Sequence, residues 1–135
     1  MPRNGVTQRV EGWPYGECVR AAYATILGLP IEAVPRFDPA VCDAVGEEQG
    51  DRERRWLATL GFDLFELSTE PHPMPQEVLD CVPAVPHLIS GWSPRGFGHR
   101  CVGVGGRVVF DPHPSRAGLV SVYSIGLLVP MEAQK

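Results

Sequence analysis

Gly16-Glu17-Cys18-Val19-Arg20-Ala21-Ala22-Tyr23-Ala24-Thr25-Ile26-Leu27-Gly28 places a cysteine at the entry of a short amphipathic helix. Val19, Ala22, Ile26 and Leu27 recur at three- and four-residue spacing, so one face can bury, and Gly28 followed by Pro30 stops the helix. Cys18 therefore falls in the first turn, where backbone N–H groups lack internal partners and the macrodipole favours negative charge. A thiol there is drawn toward its nucleophilic thiolate form. Glu17 opposes this, and Arg20, one turn along, offsets Glu17. The competing reading is a buried cysteine acting only as a small hydrophobe, so the rest of the chain has to decide between them.

Upstream, residues 5–10 read as a short edge strand and residues 12–16 as a turn leading to Cys18. Gln8 is the side chain in this segment whose amide N–H can donate to a developing oxyanion, set against a role as a surface strand residue. Downstream, Leu29 to Pro35 reads as one helical turn between prolines, and residues 36–50 as a loop or irregular helix. Residues 51–60 form a second helix, with Asp51 as N-cap, Trp56, Leu57 and Leu60 on one face and Gly61 as the stop. Residues 62–67 are apolar enough for a strand, the proline-bearing stretch 68–76 connects, and residues 77–80 add a helical turn. From residue 84 the pattern becomes β: a strand at 84–90, a loop at 92–98, a hairpin over 99–110 and a last strand at 120–129. Helices first and antiparallel sheet after predict an α+β fold in a single domain, residues 1–135.

The hairpin decides whether a base and its orienter meet. A two-residue Gly105-Gly106 turn makes opposed positions sum to 211 and sets His99 opposite Pro112. A three-residue loop over Val104-Gly105-Gly106 makes them sum to 210 and sets His99 opposite Asp111. The three-residue loop is favoured, because it needs glycine at its left-handed position and two are available; it puts Val102, Val104, Val108 and Phe110 on one apolar face and His99, Cys101, Val109 and Asp111 on the other. Asp111 is then close enough to fix the tautomer of His99 and to stabilise its charged form.

Composition narrows the function. Twelve Lys and Arg against 16 Asp and Glu give a net charge of −4, which offers no basic face for nucleic acid. Arg52, Arg54 and Arg55 alternate with Asp51 and Glu53 and read as a solvated helix face. The four cysteines, at 18, 42, 81 and 101, show no CxxC spacing, and the start Met1-Pro2-Arg3-Asn4 lacks an apolar signal region. Reduced thiols and a cytoplasmic location are expected. No apolar run approaches the ~18 residues of a membrane span, so no membrane partner is expected.

A helix-entry cysteine early in the chain, a histidine opening one strand and an aspartate on the next give the order of a papain-like thiol hydrolase. Gly16-x-Cys18 entering an Ala-rich helix, Leu27-Gly28-Leu29-Pro30-x-x-x-Val34-Pro35, Ser90-Gly91-x-Ser93-Pro94-Arg95-Gly96, His99, Gly105-Gly106 and Asp111-Pro112-His113-Pro114-Ser115-Arg116-x-Gly118-Leu119 together resemble the small bacterial and phage-encoded papain-like proteins. The resemblance covers most of residues 6–119. It implies Cys18 as nucleophile, His99 as general base and Asp111 as orienter, acting on a peptide, protein or small acyl or amide substrate without a cofactor. Gly12, six residues before Cys18, stands where that group carries its glutamine oxyanion donor, which leaves Gln8 and the Cys18 backbone N–H for the role. Trp92 and Phe97 are candidate apolar walls of the substrate site, and Arg95, His113 and Arg116 candidate partners of an anionic group. Cys101 is the second-choice nucleophile. Two other readings stand beside the hydrolase: a catalytically inactive papain-like module that binds a protein partner, and a metal site drawn from Cys18, His99, Cys101 and His113.

Overall fold

The computed structural model describes residues 5–12, 16–69 and 72–131, so the turn expected over 12–16 lies partly outside the described residues, as does the start at 1–4. The elements run α1 (Cys18–Leu27), a 3-10 turn (Ile31–Ala33), α2 (Pro39–Val45), α3 (Gln49–Thr59), β1 (Phe62–Ser68), α4 (Gln76–Leu79), β2 (Pro86–Trp92), β3 (Gly98–Val104), β4 (Arg107–Phe110) and β5 (Ser121–Pro130). The five strands form one sheet in the order β1-β5-β2-β3-β4, with every neighbouring pair antiparallel. The α+β class holds. The expected separation of helices from strands is incomplete, because α4 lies between β1 and β2.

α1 ends as the sequence requires, on Gly28 in the left-handed region at φ 67°. Its small residues Ala21, Ala22 and Ala24 are buried and let the helix lie close against β3 and β2. Around them gather Tyr23, Val34, Phe37, Leu57, Leu64, Leu88 and Val102, and the rings of Tyr23, Phe37 and Trp56 pack with centroids 5.6 to 5.8 Å apart. The opposite face of the sheet carries a second cluster of Met74, Leu79, Ile89, Cys101 and Ile125. Leu88 and Ile89, like Val102 and Cys101, fall into different clusters, as period-two alternation demands.

Two elements differ from the sequence reading. Residues 36–50 contain a regular helix, α2, whose N-cap Asp38 accepts the Val41 N–H at 3.2 Å, with Pro39 in the first turn and Gly46 in the left-handed region at φ 70°. Residues 5–10 form no strand. They are strung across the fold by single bonds, Val6 N–H to Thr25 Oγ1 (2.8 Å), Gln8 N–H to the Pro112 carbonyl (2.9 Å) and Arg9 N–H to Glu17 Oε1 (2.6 Å). α3 begins at Gln49, before Asp51, and its Leu60 is exposed while Leu57 is buried.

The hairpin register is also corrected. Gly105 and Gly106 both have positive φ (61° and 78°), and Val104 pairs with Arg107, so the turn has two residues. Gly103 pairs with Val108, but Val102 pairs with Phe110, so Val109 is an extra, bulged residue. The bulge sends Val109 and Phe110 to the helix-facing cluster and Val108 to the other, in place of the uniform Val102-Val104-Val108-Phe110 face. The turn is tied to β2 by the fully buried His87, whose Nε2 accepts the Gly106 N–H (3.0 Å) while Nδ1 lies 2.9 Å from the Leu88 carbonyl.

Candidate active site

Cys18 occupies the first position of α1, after N-cap Glu17. The chain reaches it through a tight approach in which the Gly16 N–H meets the Gly12 carbonyl at 2.6 Å. A Cβ at Gly16 would stand 2.6 Å from that oxygen, so only glycine fits. The Glu17 carboxylate is buried, and burial alone would raise its pKa. Hydrogen bonds and charge from Arg9 (Nε 3.1 Å) and Arg20 (Nη1 3.3 Å) outweigh burial and hold it below the usual carboxylate range. The offset by Arg20 is as the sequence suggested, and Arg9 is a second partner it did not reveal.

Continuing the bulged register of β4 sets Asp111 level with Cys101, one step along the same face from His99. Its carboxylate reaches back along that face, and His99 Nε2 lies 2.6 Å from Asp111 Oδ1. Asp111 also accepts the N–H groups of His113 (2.9 Å) and Gly118 (2.7 Å), which fix the carboxylate from both sides. Burial raises the Asp111 pKa, and these donors together with His99 bring it down on balance.

With Nε2 committed to Asp111, Nδ1 is the ring nitrogen left for Cys18, whose thiol interacts with His99. Burial pushes the Cys18 thiol up. The His99 hydrogen bond and charge, the Arg100 backbone N–H and the Arg100 guanidinium act the other way and prevail, so the thiol lies below its ordinary value. For His99, burial favours the neutral ring, but Cys18 and Asp111 override it and raise the pKa. The two shifts run in the directions expected of a coupled thiol–imidazole pair.

Arg100 is a residue that sequence reasoning missed. Its guanidinium lies 2.6 Å from the buried Glu53 and 3.2 Å from Ser90 Oγ. Tyr23 donates its hydroxyl to Glu53, and Gln49 Nε2 does so at 2.9 Å. The charged run of α3 is thus not wholly solvated. Arg52 and Arg55 pair at its surface with Glu47, but Glu53 turns inward. A signal was present: Glu53 stands four residues before the buried Leu57, on the same helix face.

The site opens into a cleft of about 580 Å³. Gln8, Cys18, His99, Arg95, Phe97 and His113 line it, whereas Trp92 and Arg116 are not among the lining residues. Trp92 packs edge-on to Tyr123. Arg116, at φ 54°, lies over the Phe110 ring and gives its donors to Thr7 and the Asp111 and His113 carbonyls, so it anchors the loop that holds Asp111. Gln8 is buried, with Nε2 donating to the Val10 carbonyl at 2.8 Å and Oε1 without a hydrogen-bond partner. An amide nitrogen has two hydrogens, so one remains for another acceptor.

Cys101 is fully buried, and burial followed by Asp111 pushes its thiol far up, the reverse of Cys18. His99, Cys101 and Asp111 offer potential metal-ligand atoms within 4.8 Å of one another. This is not the set named from the sequence, since Asp111 replaces Cys18 and His113. Asp111 already holds His99 and Cys101 by hydrogen bonds. No helix among the described residues is long and apolar enough to cross a membrane.

Fold and site define an α+β domain in which a cysteine and a histidine face one cleft, with an aspartate hydrogen-bonded to the histidine. Comparison with protein-family models, curated proteins and solved structures finds no match to this chain.

Proposed function

We propose that this protein is a papain-like cysteine hydrolase or transferase that cleaves an amide, isopeptide or similar acyl bond through a thioester. The observation that carries the reading is the continuous series Cys18–His99–Asp111, closed by the 2.6 Å contact between His99 Nε2 and Asp111 Oδ1. Cys18 thiolate attacks the acyl carbon and forms the carbon–sulfur bond. The carbonyl electrons move onto oxygen, where the Cys18 backbone N–H and the second Gln8 amide hydrogen are the available donors. As the tetrahedral intermediate collapses, the bond to the leaving group breaks and His99 gives it the proton. Neutral His99 then takes a proton from water, which displaces the acyl group from sulfur. Asp111 holds the ring in the tautomer that keeps Nδ1 toward Cys18 and supports the positive charge.

The test is intact-mass analysis after incubation with a panel of activated esters and amides. The expected result is an acyl adduct on Cys18 that turns over with time and is absent in Cys18→Ala. A folded protein that neither acylates nor hydrolyses any member overturns the reading and leaves the domain a binding module.

A further inference from the structure

We infer that the cleft has a built subsite for an anionic group, centred on Arg95, and that the substrate of the hydrolase proposed above therefore carries a carboxylate beyond the bond that Cys18 attacks. The inference rests on that proposed activity and comes from accounting for every charge that lines the cleft. Glu17 is paired with Arg20, Asp38 with Arg36, Arg100 with Glu53, and the Glu11 carboxylate lies 2.6 Å from His113 Nε2. Among the described residues no carboxylate comes within ion-pair distance of Arg95. Its one hydrogen bond is Nη1 to Ser115 Oγ at 3.1 Å, to a neutral group. A guanidinium has five N–H donors in a planar fork matched to a carboxylate, so most of Arg95 is left for a ligand.

Arg95 is exposed, and both the turn that carries it and one side-chain hydrogen bond orient it. It sits in a tight turn in which the Gly96 N–H returns to the Ser93 carbonyl and the Ser93 N–H meets the Phe97 carbonyl, both at 2.9 Å, and Ser93 itself is buried. Ser115 holds the guanidinium from the loop that also carries Asp111. The same Ser115 gives its backbone N–H to His113 Nδ1 (3.0 Å), so His113 Nε2 carries the proton directed at Glu11. His113 in turn stands edge-on to His99, ring centroids 6.1 Å apart. A path therefore leads from the reacting pair past His113 to Arg95 along one wall. Phe97, which lines the cleft and is 66% exposed, gives that path apolar surface for an aliphatic spacer. Ordering few side chains on binding favours affinity for a ligand that matches this arrangement.

Two maleimides with tails of equal length, N-butylmaleimide and N-carboxypropylmaleimide, test this, with adduct formation at Cys18 followed by peptide mapping in a Cys81→Ser background. Rates are divided by those of a neutral small thiol, which removes intrinsic reactivity. The carboxylate probe is expected to react about fivefold faster than the neutral one, as one partly exposed charge pair provides. The preference should collapse in Arg95→Met, persist in Arg95→Lys and Arg107→Met, and shrink with added salt. Equal normalised rates in the unaltered protein, or a preference untouched by Arg95→Met, overturn the subsite while leaving Cys18 as nucleophile. Inertness of Cys18 to both probes overturns the hydrolase reading, and the subsite with it.

Discussion

Glu53 of α3 meets Arg100 of β3 at 2.6 Å, and Arg100 is the residue that follows His99 in the strand. Glu53 is 2% exposed, so its charge is tolerated only because Arg100, Tyr23 and Gln49 surround it. Removing one member of such a pair strands the other in a poorly solvated place. Glu53→Gln should cost about 3 kcal/mol of stability. Replacing both members, Glu53→Leu with Arg100→Leu, should recover much of it. Urea unfolding of the single and double variants checks both expectations.

Gly105 and Gly106 do different work in the turn, and substitution should separate them. A Cβ on Gly105 meets nothing closer than 3.9 Å, and a two-residue turn of this kind accepts asparagine first, so Gly105→Asn should be neutral or slightly stabilising. A Cβ on Gly106 would stand 2.2 Å from the Leu79 carbonyl oxygen, and φ is already 78°. Gly106→Ala should therefore lose upward of about 2 kcal/mol. Thermal or urea unfolding distinguishes them.

His87 should make the fold sensitive to acid. Burial lowers its pKa, with the Leu88 carbonyl acting weakly the other way, so the ring stays neutral in the folded state. The unfolded chain takes up a proton below the ordinary value of 6.5 while the folded one does not. The stability His87 contributes is thus full above that pH and is lost as pH falls toward its folded value. His99 has the opposite sign: its raised pKa contributes stability below 6.5 that is lost as pH rises through its folded value. Unfolding free energies from pH 5 to 8, roughly the range where histidines titrate, should show a shallower acid-side loss in His87→Gln. His87→Leu, which has no acceptor, should be about 1–3 kcal/mol less stable at neutral pH, because the Gly106 N–H loses its partner.

Much of this was legible in the sequence because it depended on local chemistry. The spacing of Val19, Ala22, Ile26 and Leu27 and the stop at Gly28 gave α1, and with it the helix-entry position of Cys18. The pairing of His99 with Asp111 was foreseen, although for an incorrect geometric reason. The turn has two residues, and it is the bulge at Val109, unmarked by any glycine, that determines where Asp111 lies. The α2 signal, Asp38-Pro39 ahead of Gly46, was local and readable, but the helix is short and its periodicity faint. Arg100 and Arg116 depended on which distant groups the fold brings to them. A charged residue on a strand does not disclose whether it meets water or a buried glutamate, and Arg116 looked like a ligand contact until Thr7 and two backbone carbonyls took its donors.

The central claim is that Cys18 is held as a thiolate by His99, with Asp111 behind it, and the pH dependence of Cys18 alkylation by iodoacetamide tests it most directly. In the unaltered protein the rate should reach half its plateau well below the ordinary thiol value of 9.0, and His99→Ala should move the midpoint up toward that value. A midpoint near 9.0 in both proteins would contradict the account.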